Sequence, residues 1–171
     1  MTAIRPIIRV AREADLPRIA ALAGEIWRQY YPGIISHEQI EYMLGWMYAP
    51  ERLRRELCEE GVEFRLLRAG RTAVGFAAFG PAGQPTEFKL HKLYLAPEFH
   101  GRGWGSRLLR HCLTGARRAG GRRMILAVNK RNSRAVQFYQ QHGFVIVNAV
   151  VSDIGGGFVM DDFILARALG K

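Results

Sequence analysis

Residues 88–106, FKLHKLYLAPEFHGRGWGS, decide the fold of this chain. An apolar strand runs into glycines at alternate positions, Gly101, Gly103 and Gly105, and a helical pattern follows at once. Glycine has no side chain to hold a ligand away, and the first turn of a helix offers unpaired N–H donors at the positive end of its dipole. This strand, turn and helix therefore predict a loop that binds a pyrophosphate group.

Two familiar phosphate-binding patterns do not fit this loop. Ser106 stands where the dinucleotide-binding pattern GxGxxG has its last glycine, and no Gly-Lys-Ser/Thr follows as it does in the Walker loop. A plain tight turn before a helix is the structural alternative. The loop by itself indicates a phosphate ligand without identifying it.

Hydrophobic periodicity and turn residues extend this unit into one domain that covers residues 1–171. The patterns predict strands over 7–10, 62–67, 73–79, 87–95, 124–128, 144–151 and 158–166, and helices over 16–30, 36–46, 50–60, 105–119 and 133–141. The strand, glycine turn, helix and strand over 87–128 predict a right-handed parallel crossover. We expect an α/β fold: a mixed, mostly antiparallel sheet of six to seven strands with helices on both faces.

The positive charge of the chain is concentrated in one segment. The net charge is +10, yet no Asp or Glu occurs between Phe99 and Ser152. That segment carries ten basic residues: Arg102, Arg107, Arg110, Arg117, Arg118, Arg122, Arg123, Lys130, Arg131 and Arg134. A focused positive field suits a multiply anionic ligand, and a solvated helix face is the simpler alternative. Nucleic acid is not an expected partner, because no reading helix or aromatic-basic interleaving is recognisable.

A second stretch, residues 129–144, directly follows the predicted strand 124–128 and contains the predicted helix 133–141. Its sequence is NKRNSRAVQFYQQHGF. Together with residues 88–106 it resembles the GCN5-related N-acetyltransferase (GNAT) family in order and spacing, and the resemblance covers about residues 4–169. It implies the acyl-CoA N-acyltransferase fold, acetyl-CoA as the acetyl-donating co-substrate, and an amine as the acceptor.

The resemblance also implies which residues contact acetyl-CoA. These are Leu93, Tyr94, Leu95, His100, Gly101, Arg102, Gly103, Trp104, Gly105, Ser106, Asn132 and Tyr139. In the family, the glycine loop binds the pyrophosphate, the preceding strand pairs with the pantetheine arm, the asparagine approaches the cofactor, and the tyrosine lies near the thioester sulfur. His100 departs from the pattern, because the family usually has Gln or Arg there and a long side chain beside the phosphates is lost.

Three residues are candidates for the chemistry of acetyl transfer. Tyr139 can give its phenolic proton to the leaving sulfur, since a phenol stays protonated at neutral pH. The backbone N–H of Leu95, freed where two parallel strands separate, is expected to stabilise the oxyanion. His91 lies on the strand that enters the loop and titrates in the range of a general base. Glu87, a water chain to solvent, or a purely structural place for His91 in the core are the alternatives.

The two cysteines carry several expectations. Neither Cys58 nor Cys112 has the neighbouring His and acid pattern of a nucleophile, so we expect direct attack of the amine in a ternary complex. They lie far apart with no CxxC or Cys/His grouping, which predicts no metal site and a reducing, cytoplasmic location. No apolar run reaches the roughly 18 residues of a membrane span, and no signal peptide is recognisable.

The acceptor is expected to be a primary amine of a small molecule, with a polyamine as one candidate. Residues 31–44 and 158–165 look like a bacterial subgroup of the family that includes polyamine acetyltransferases. Aromatic residues that could cage a cation and acids that could attract a polyamine lie in or near these stretches: Trp27, Tyr30, Tyr31, Tyr42, Trp46 and Tyr48, with Glu38, Glu41, Asp161 and Asp162.

Two rival interpretations remain at this point. A peptide or protein amino group is the rival acceptor, favoured by a wide groove with few acids. An acyl-CoA-binding module without turnover is the rival function. The exposed edge of the last predicted hairpin could also pair two subunits into a homodimer.

Overall fold

Seven strands and five α-helices make up residues 5–170, the part of the chain that the computed structural model describes. The strands are β1 (Pro6–Val10), β2 (Glu63–Ala69), β3 (Thr72–Pro81), β4 (Glu87–Leu95), β5 (Arg123–Asn129), β6 (Val145–Gly155) and β7 (Phe158–Ala168). The helices are α1 (Leu16–Tyr30), α2 (His37–Met47), α3 (Pro50–Cys58), α4 (Trp104–Arg118) and α5 (Ser133–Gln141).

All strands belong to one sheet in the order β1-β2-β3-β4-β5-β7-β6. Every neighbouring pair is antiparallel except β4 and β5, which run parallel and are connected through α4. The mixed, mostly antiparallel sheet predicted from the sequence is thereby confirmed. The parallel ladder spans only Glu87–Lys89 opposite Arg123–Ile125, and beyond these three pairs the two strands separate.

Helices cover both faces of the sheet, as predicted. On one face, α4 packs its stripe of Leu108, Leu109 and Cys112 against β-strand residues that include Phe79 and Leu126. On the other face, α1, α2 and α3 pack around Trp27, a fully buried side chain. Two separate apolar clusters therefore sandwich the sheet, and α5 joins the α4 side through the buried Tyr139.

Local signals explain where the elements start. The Ser36 hydroxyl accepts a hydrogen bond from the N–H of Gln39 (3.1 Å) and so caps the N-terminus of α2. Gly103 begins α4 in a left-handed conformation, with φ of 74°. The last hairpin is longer than predicted, because β6 continues to Gly155 and only then do three glycines with positive φ reverse the chain.

Strand β6 forms one edge of the sheet and is exposed over nearly its whole length. Val145, Ile146, Val147 and Val151 are exposed large hydrophobic residues on this strand, and Val151 keeps 66% of its accessible surface. Within residues 5–170, no helix combines the length and apolar character required to cross a membrane.

Candidate active site

The separation of β4 and β5 opens a cavity of about 530 Å³ in the middle of the sheet. Residues Lys89–Leu95 of β4 and Leu126–Asn129 of β5 line it, together with parts of α1, α2, α5, β7 and the glycine loop. In an ordinary sheet β4 and β5 would stay hydrogen-bonded along their whole length. Where they separate, their backbone N–H and C=O groups face the cavity without a partner strand.

The backbone direction at the end of β4 follows from one hydrogen bond. Ala96 donates its N–H to the carbonyl of Val74 on β3 (2.8 Å). Backbone groups alternate in direction along a strand, so the N–H and C=O of Leu95 and Leu93 are turned away from β3, towards the opening. The side chain of Tyr94 instead packs in the α1-side cluster, with its ring centroid 5.6 Å from that of Trp27.

The glycine loop is shaped for a ligand that approaches the backbone. Gly101 and Gly103 have φ of 76° and 74°, and a Cβ atom built on either would meet nothing within 4 Å. The N–H groups of Trp104, Gly105 and Ser106 belong to the first turn of α4, where no intrahelical acceptor exists. Open space, left-handed glycines and free donors together fit a phosphate group.

Arg102 is the one residue of the predicted loop that does not line the cavity. Its guanidinium lies over the rings of Phe99 and Trp104, at 5.3 and 5.9 Å from their centroids, and donates to the carbonyl of Glu98 (3.2 Å). Arg134 at the start of α5 does line the cavity and brings positive charge to it.

His100 folds back onto the end of β4. Its Nε2 atom lies 2.7 Å from the carbonyl oxygen of Leu95. A carbonyl can only accept, so this nitrogen carries the proton in this tautomer. The imidazole therefore occupies a backbone acceptor at the opening, a position that no sequence pattern indicated.

Tyr139 and Asn132 both reach the cavity from α5. Tyr139 keeps only 9% of its surface, and this burial raises the pKa of its phenol, which stays protonated across the neutral range. Asn132 caps α5 by accepting from the N–H of Ala135 (3.2 Å). The same Oδ1 atom accepts from the Tyr30 hydroxyl (2.9 Å), which ties the end of α1 to the start of α5.

His91 lies at an irregularity in β4. The register with β3 shifts from Ala78 opposite Lys92 to Phe79 opposite Leu90, which leaves His91 as an extra residue. Its Nε2 atom is buried and has no hydrogen-bond partner in the described chain. Burial, reinforced by the positive charges of neighbouring Lys and Arg side chains, lowers the pKa of His91 to about 3. The imidazole is neutral at pH 7, but it is a weak proton acceptor.

The residue next to His91 has a different role. Lys92 is buried on the α3 side and forms an ion pair with Glu56 (2.6 Å), which also accepts from Arg52 (3.1 Å). This buried network was not foreseen from the sequence, since its members lie on a helix and a strand with no shared pattern. It anchors α3 to the centre of the sheet.

Aromatic side chains form the other side of the cavity. Four of the six predicted from the sequence line it: Trp27, Tyr30, Tyr31 and Trp46. Tyr48 is buried outside the lining, and the Tyr42 hydroxyl donates to the carbonyl of Ile154 (2.7 Å). Gln39 donates to the carbonyl of Val159 (2.8 Å), so two side chains attach α2 to the β6–β7 hairpin.

Of the four candidate acids, only Asp162 lines the cavity. Glu41 is paired with Arg28 (2.7 Å), Asp161 is paired with Lys130, and Glu38 is exposed outside the lining. Asp162 lines the cavity, keeps 4% of its surface, and its Oδ1 atom has no hydrogen-bond partner within residues 5–170. Burial, with the charge of Asp161 as a second cause, raises the pKa of Asp162 to about 6.

Between Arg5 and Gly170, no group of three or more His, Cys, Asp or Glu side chains is arranged to hold a metal ion.

Comparison with known proteins agrees with this geometry. The model of the acetyltransferase (GNAT) family matches residues 7–144. A probable N-acetyltransferase of Mycobacterium tuberculosis is 30% identical over 142 residues, which cover 81% of this chain and 79% of the relative. A spermidine N(1)-acetyltransferase of Thermoplasma acidophilum is 29% identical over 158 residues, covering 90% and 94% of the two chains.

A solved structure matches the whole architecture. The PaiA N-acetyltransferase of Thermoplasma acidophilum, crystallised with coenzyme A, superposes with a TM-score of 0.80 at 27% identity and covers 96% of this chain and 99% of its own. The family match spans the β4 opening, the glycine loop and α5, the same elements that form the cavity. The chain therefore belongs to the acetyltransferase (GNAT) family and is an N-acetyltransferase.

Proposed function

We propose that this enzyme moves the acetyl group of acetyl-CoA to a primary amine of a small molecule, with a polyamine as the leading candidate. One observation carries the choice of acceptor: among residues 5–170, the lining of the cavity combines aromatic side chains with one carboxylate, Asp162, whose Oδ1 atom has no hydrogen-bond partner. A pocket of this composition suits a small cation. A related enzyme of Thermoplasma acidophilum acts on spermidine, which supports the same substrate class.

Acetyl-CoA supplies the acetyl group as an activated thioester. In this proposal Gly101, Gly103 and the first-turn N–H groups of α4 bind its pyrophosphate, while the basic side chains of residues 102–134 attract its phosphates. Arg102 contributes charge at the surface, since its guanidinium is stacked outside the cavity. Leu93 and Leu95 offer their backbone groups to the pantetheine arm, in place of a neighbouring strand.

His100 and Asn132 affect cofactor binding in this proposal through the contacts that they make in the structure. His100 must release the Leu95 carbonyl if the pantetheine arm is to bind there, because both need the same acceptor. Asn132 holds the N-terminus of α5 and the Tyr30 hydroxyl, so that its contribution to cofactor binding is to fix the wall of the site.

Catalysis then rests on two groups that flank the reacting carbon. The Leu95 N–H, directed at the opening, stabilises negative charge on the thioester oxygen during attack. Tyr139, kept protonated by burial, gives its proton to the leaving sulfur. His91 remains a candidate base from the sequence, but a pKa of about 3 makes its imidazole a poor match for an amine near neutral pH.

The hydrogen bonds of α2 favour a small acceptor over a peptide. Tyr42 and Gln39 attach α2 to the β6–β7 hairpin, and both elements contribute residues to the lining, so that a peptide would have to pass between two connected elements. An acyl-CoA-binding module without turnover is disfavoured by the position of Tyr139 in the same cavity as the β4 opening.

Thiol release from acetyl-CoA tests the proposal directly. The acceptors are spermidine, a simple monoamine and a short peptide with a free N-terminus. We expect kcat/KM for spermidine to exceed that for the peptide by about tenfold or more. A preference for the peptide would reject the proposed acceptor. Saturable binding of acetyl-CoA with no turnover on any amine would instead support the binding module.

A homodimer through β6 is part of the proposal. Edge strands usually carry charged residues that prevent pairing, but residues 145–152, VIVNAVVS, carry none, and several of their apolar side chains are exposed. A second β6 strand would pair with this edge. Sedimentation should show a dimer for the native chain and a monomer for Val147→Lys, and a native monomer at all concentrations would exclude this interface.

We also propose that residues 1–171 form one N-acetyltransferase domain, since all described strands share one sheet. Both Cys58 and Cys112 are free thiols, which agrees with the reducing environment of the cytoplasm.

A further inference from the structure

Asp162 lies on β7 directly opposite Asn129 of β5, in the wall of the cavity that Tyr139 and Leu95 also line. We infer that Asp162 binds the ammonium group of the acceptor and accepts the proton that the amine must lose before it attacks. This inference rests on the proposed function and assigns the base that the sequence left open.

The Asp162 carboxyl group is buried and lacks a hydrogen-bond partner at one oxygen, which favours the binding of a ligand there. Burying an ionisable oxygen without a hydrogen bond costs free energy, so buried acids are normally paired. Asp162 is 4% exposed, and its Oδ1 atom has no protein partner in the described chain. The adjacent Asp161 is half exposed and paired with Lys130, as an ordinary surface acid would be. Of the two neighbours, only Asp162 lines the cavity and has a buried oxygen without a protein partner.

The groups around Asp162 leave it ionised but unusually basic. Lys89 of β4 and Lys130 after β5 favour the carboxylate, while burial and Asp161 oppose it, and the pKa rises to about 6. Val150 lies opposite Asp162 on β6, and Gln39 lines the cavity from α2. Neither side chain carries a charge. The carboxylate is therefore mostly charged at neutral pH, ready to bind a cation, and accepts a proton more readily than an exposed aspartate does.

Tyr31 and Tyr139 line the same cavity as Asp162. Burial raises the pKa of the Tyr31 phenol to about 12, and the negative charge of Asp162 contributes to this shift. Burial likewise raises the pKa of Tyr139, with a smaller contribution from Tyr31. The carboxylate assigned as proton acceptor for the amine and the phenol assigned as proton donor for the sulfur therefore line one cavity.

The proton balance of the step is complete. The acceptor arrives as R-NH3+ and gives one proton to the Asp162 carboxylate. The freed lone pair forms the C–N bond as the C–S bond breaks, and the sulfur leaves as a thiol with the proton of Tyr139. The second amine proton returns to Tyr139 through solvent, and Asp162 releases its proton to water. One proton is released for each acetyl group transferred.

The test compares Asp162→Asn with the neighbouring control Asp161→Asn. Thiol release is measured with spermidine from pH 5.5 to 9, and acetyl-CoA binding by calorimetry. We expect Asp162→Asn to lower kcat/KM for spermidine by about 100-fold and to remove the acidic limb of the native pH profile near pH 6, with acetyl-CoA affinity unchanged. Asp162→Glu should recover part of the rate. Asp161→Asn should keep kcat/KM above pH 7 within about twofold of the native value and move the acidic limb to lower pH, because the charge of Asp161 contributes to raising the pKa of Asp162.

Three results would overturn the inference, each in a recognisable way. An Asp162→Asn enzyme that binds acetyl-CoA and keeps the native rate and acidic limb excludes Asp162 from the reaction. A higher KM for spermidine with the acidic limb intact excludes proton transfer. A native enzyme that acetylates none of the amines removes the proposed function itself, before any variant is compared.

Discussion

The two sides of the cavity are built in different ways. The side proposed to bind the cofactor is formed by residues 88–139, which are contiguous in the chain, and it presents mainly backbone groups of β4, the glycine loop and α4. The side proposed to bind the acceptor combines α1 and α2 with the distant β6–β7 hairpin and presents side chains. Its contacts join residues far apart in sequence: Tyr42 meets Ile154 across 112 positions, and Gln39 meets Val159 across 120.

This difference explains why the side formed by residues 88–139 could be predicted from the sequence and the other side could not. Backbone recognition requires glycine at fixed positions before a helix, so it leaves a short pattern in the chain. Side-chain recognition across a hundred residues requires only that the fold bring the right groups together. The variants below test whether the two sides are as separable in function as they are in construction.

The largest effect is expected at the glycine loop. In Gly103→Val a branched side chain must adopt φ near +74° and project into the space beside the loop. We expect the Kd for acetyl-CoA to rise by about 100-fold or more, as measured by calorimetry. Gly83→Ala is the control, because this loop glycine also faces open space but has no positive φ. Equal binding by Gly103→Val and the native chain would show that the loop does not hold the phosphates.

The next effect concerns the group at the boundary between the two sides. Tyr139→Phe removes the hydroxyl of a residue that keeps 9% of its surface, and it should lower kcat by about 100-fold while the Kd for acetyl-CoA stays the same. Tyr48→Phe is the matched control, since Tyr48 keeps 5% of its surface but lies outside the cavity lining. A native kcat in Tyr139→Phe would remove this phenol from the chemistry.

A smaller effect should appear in stability. The folded-state pKa of Asp162 is raised to about 6, so this group favours the folded state below the unfolded pKa near 3.9, and that contribution is lost as the pH rises through 6. Asparagine resembles the protonated form at every pH. Urea unfolding of Asp162→Asn should therefore show a gain of about 2 kcal/mol at pH 7 that disappears below about pH 4. A loss of stability at pH 7 would mean that the carboxylate is structurally paired.

The smallest effect tests the attachment of α2. Tyr42→Phe removes one hydrogen bond to the Ile154 carbonyl, worth about 1 kcal/mol. We expect KM for spermidine to rise about fivefold, with the Kd for acetyl-CoA unchanged. Glu41→Gln is the control on the same helix, because its ion pair with Arg28 is exposed. If cofactor affinity changes as much as KM does, the two sides are coupled and the comparison fails.

Sequence reasoning succeeded where local chemistry decides the outcome. The bounds of β4 and α5 agree with the prediction residue for residue, because alternation and helical spacing are strong there and Ser133 follows a capping asparagine. The three residues predicted to take part in catalysis, His91, Leu95 and Tyr139, line one cavity in the structure.

It could not find features that depend on tertiary packing. The bulge at His91 and the Glu56–Lys92 pair arise where β4 meets β3 and α3. Asp162 and Asp161 are adjacent and chemically alike in the sequence. Only strand pairing decides that one is buried in the cavity and the other is exposed.

The short parallel ladder has a mechanical consequence. Four strands on one side and three on the other are joined in the sheet by three residue pairs, Glu87–Lys89 with Arg123–Ile125, reinforced by the ion pair of Arg123 with Glu87 (2.9 Å). The two parts of the sheet are thus joined by a narrow connection. In the proposed binding mode, a pantetheine arm lying between β4 and β5 would add hydrogen bonds where the ladder ends, so that the donor substrate itself would hold the two parts together while the acceptor binds.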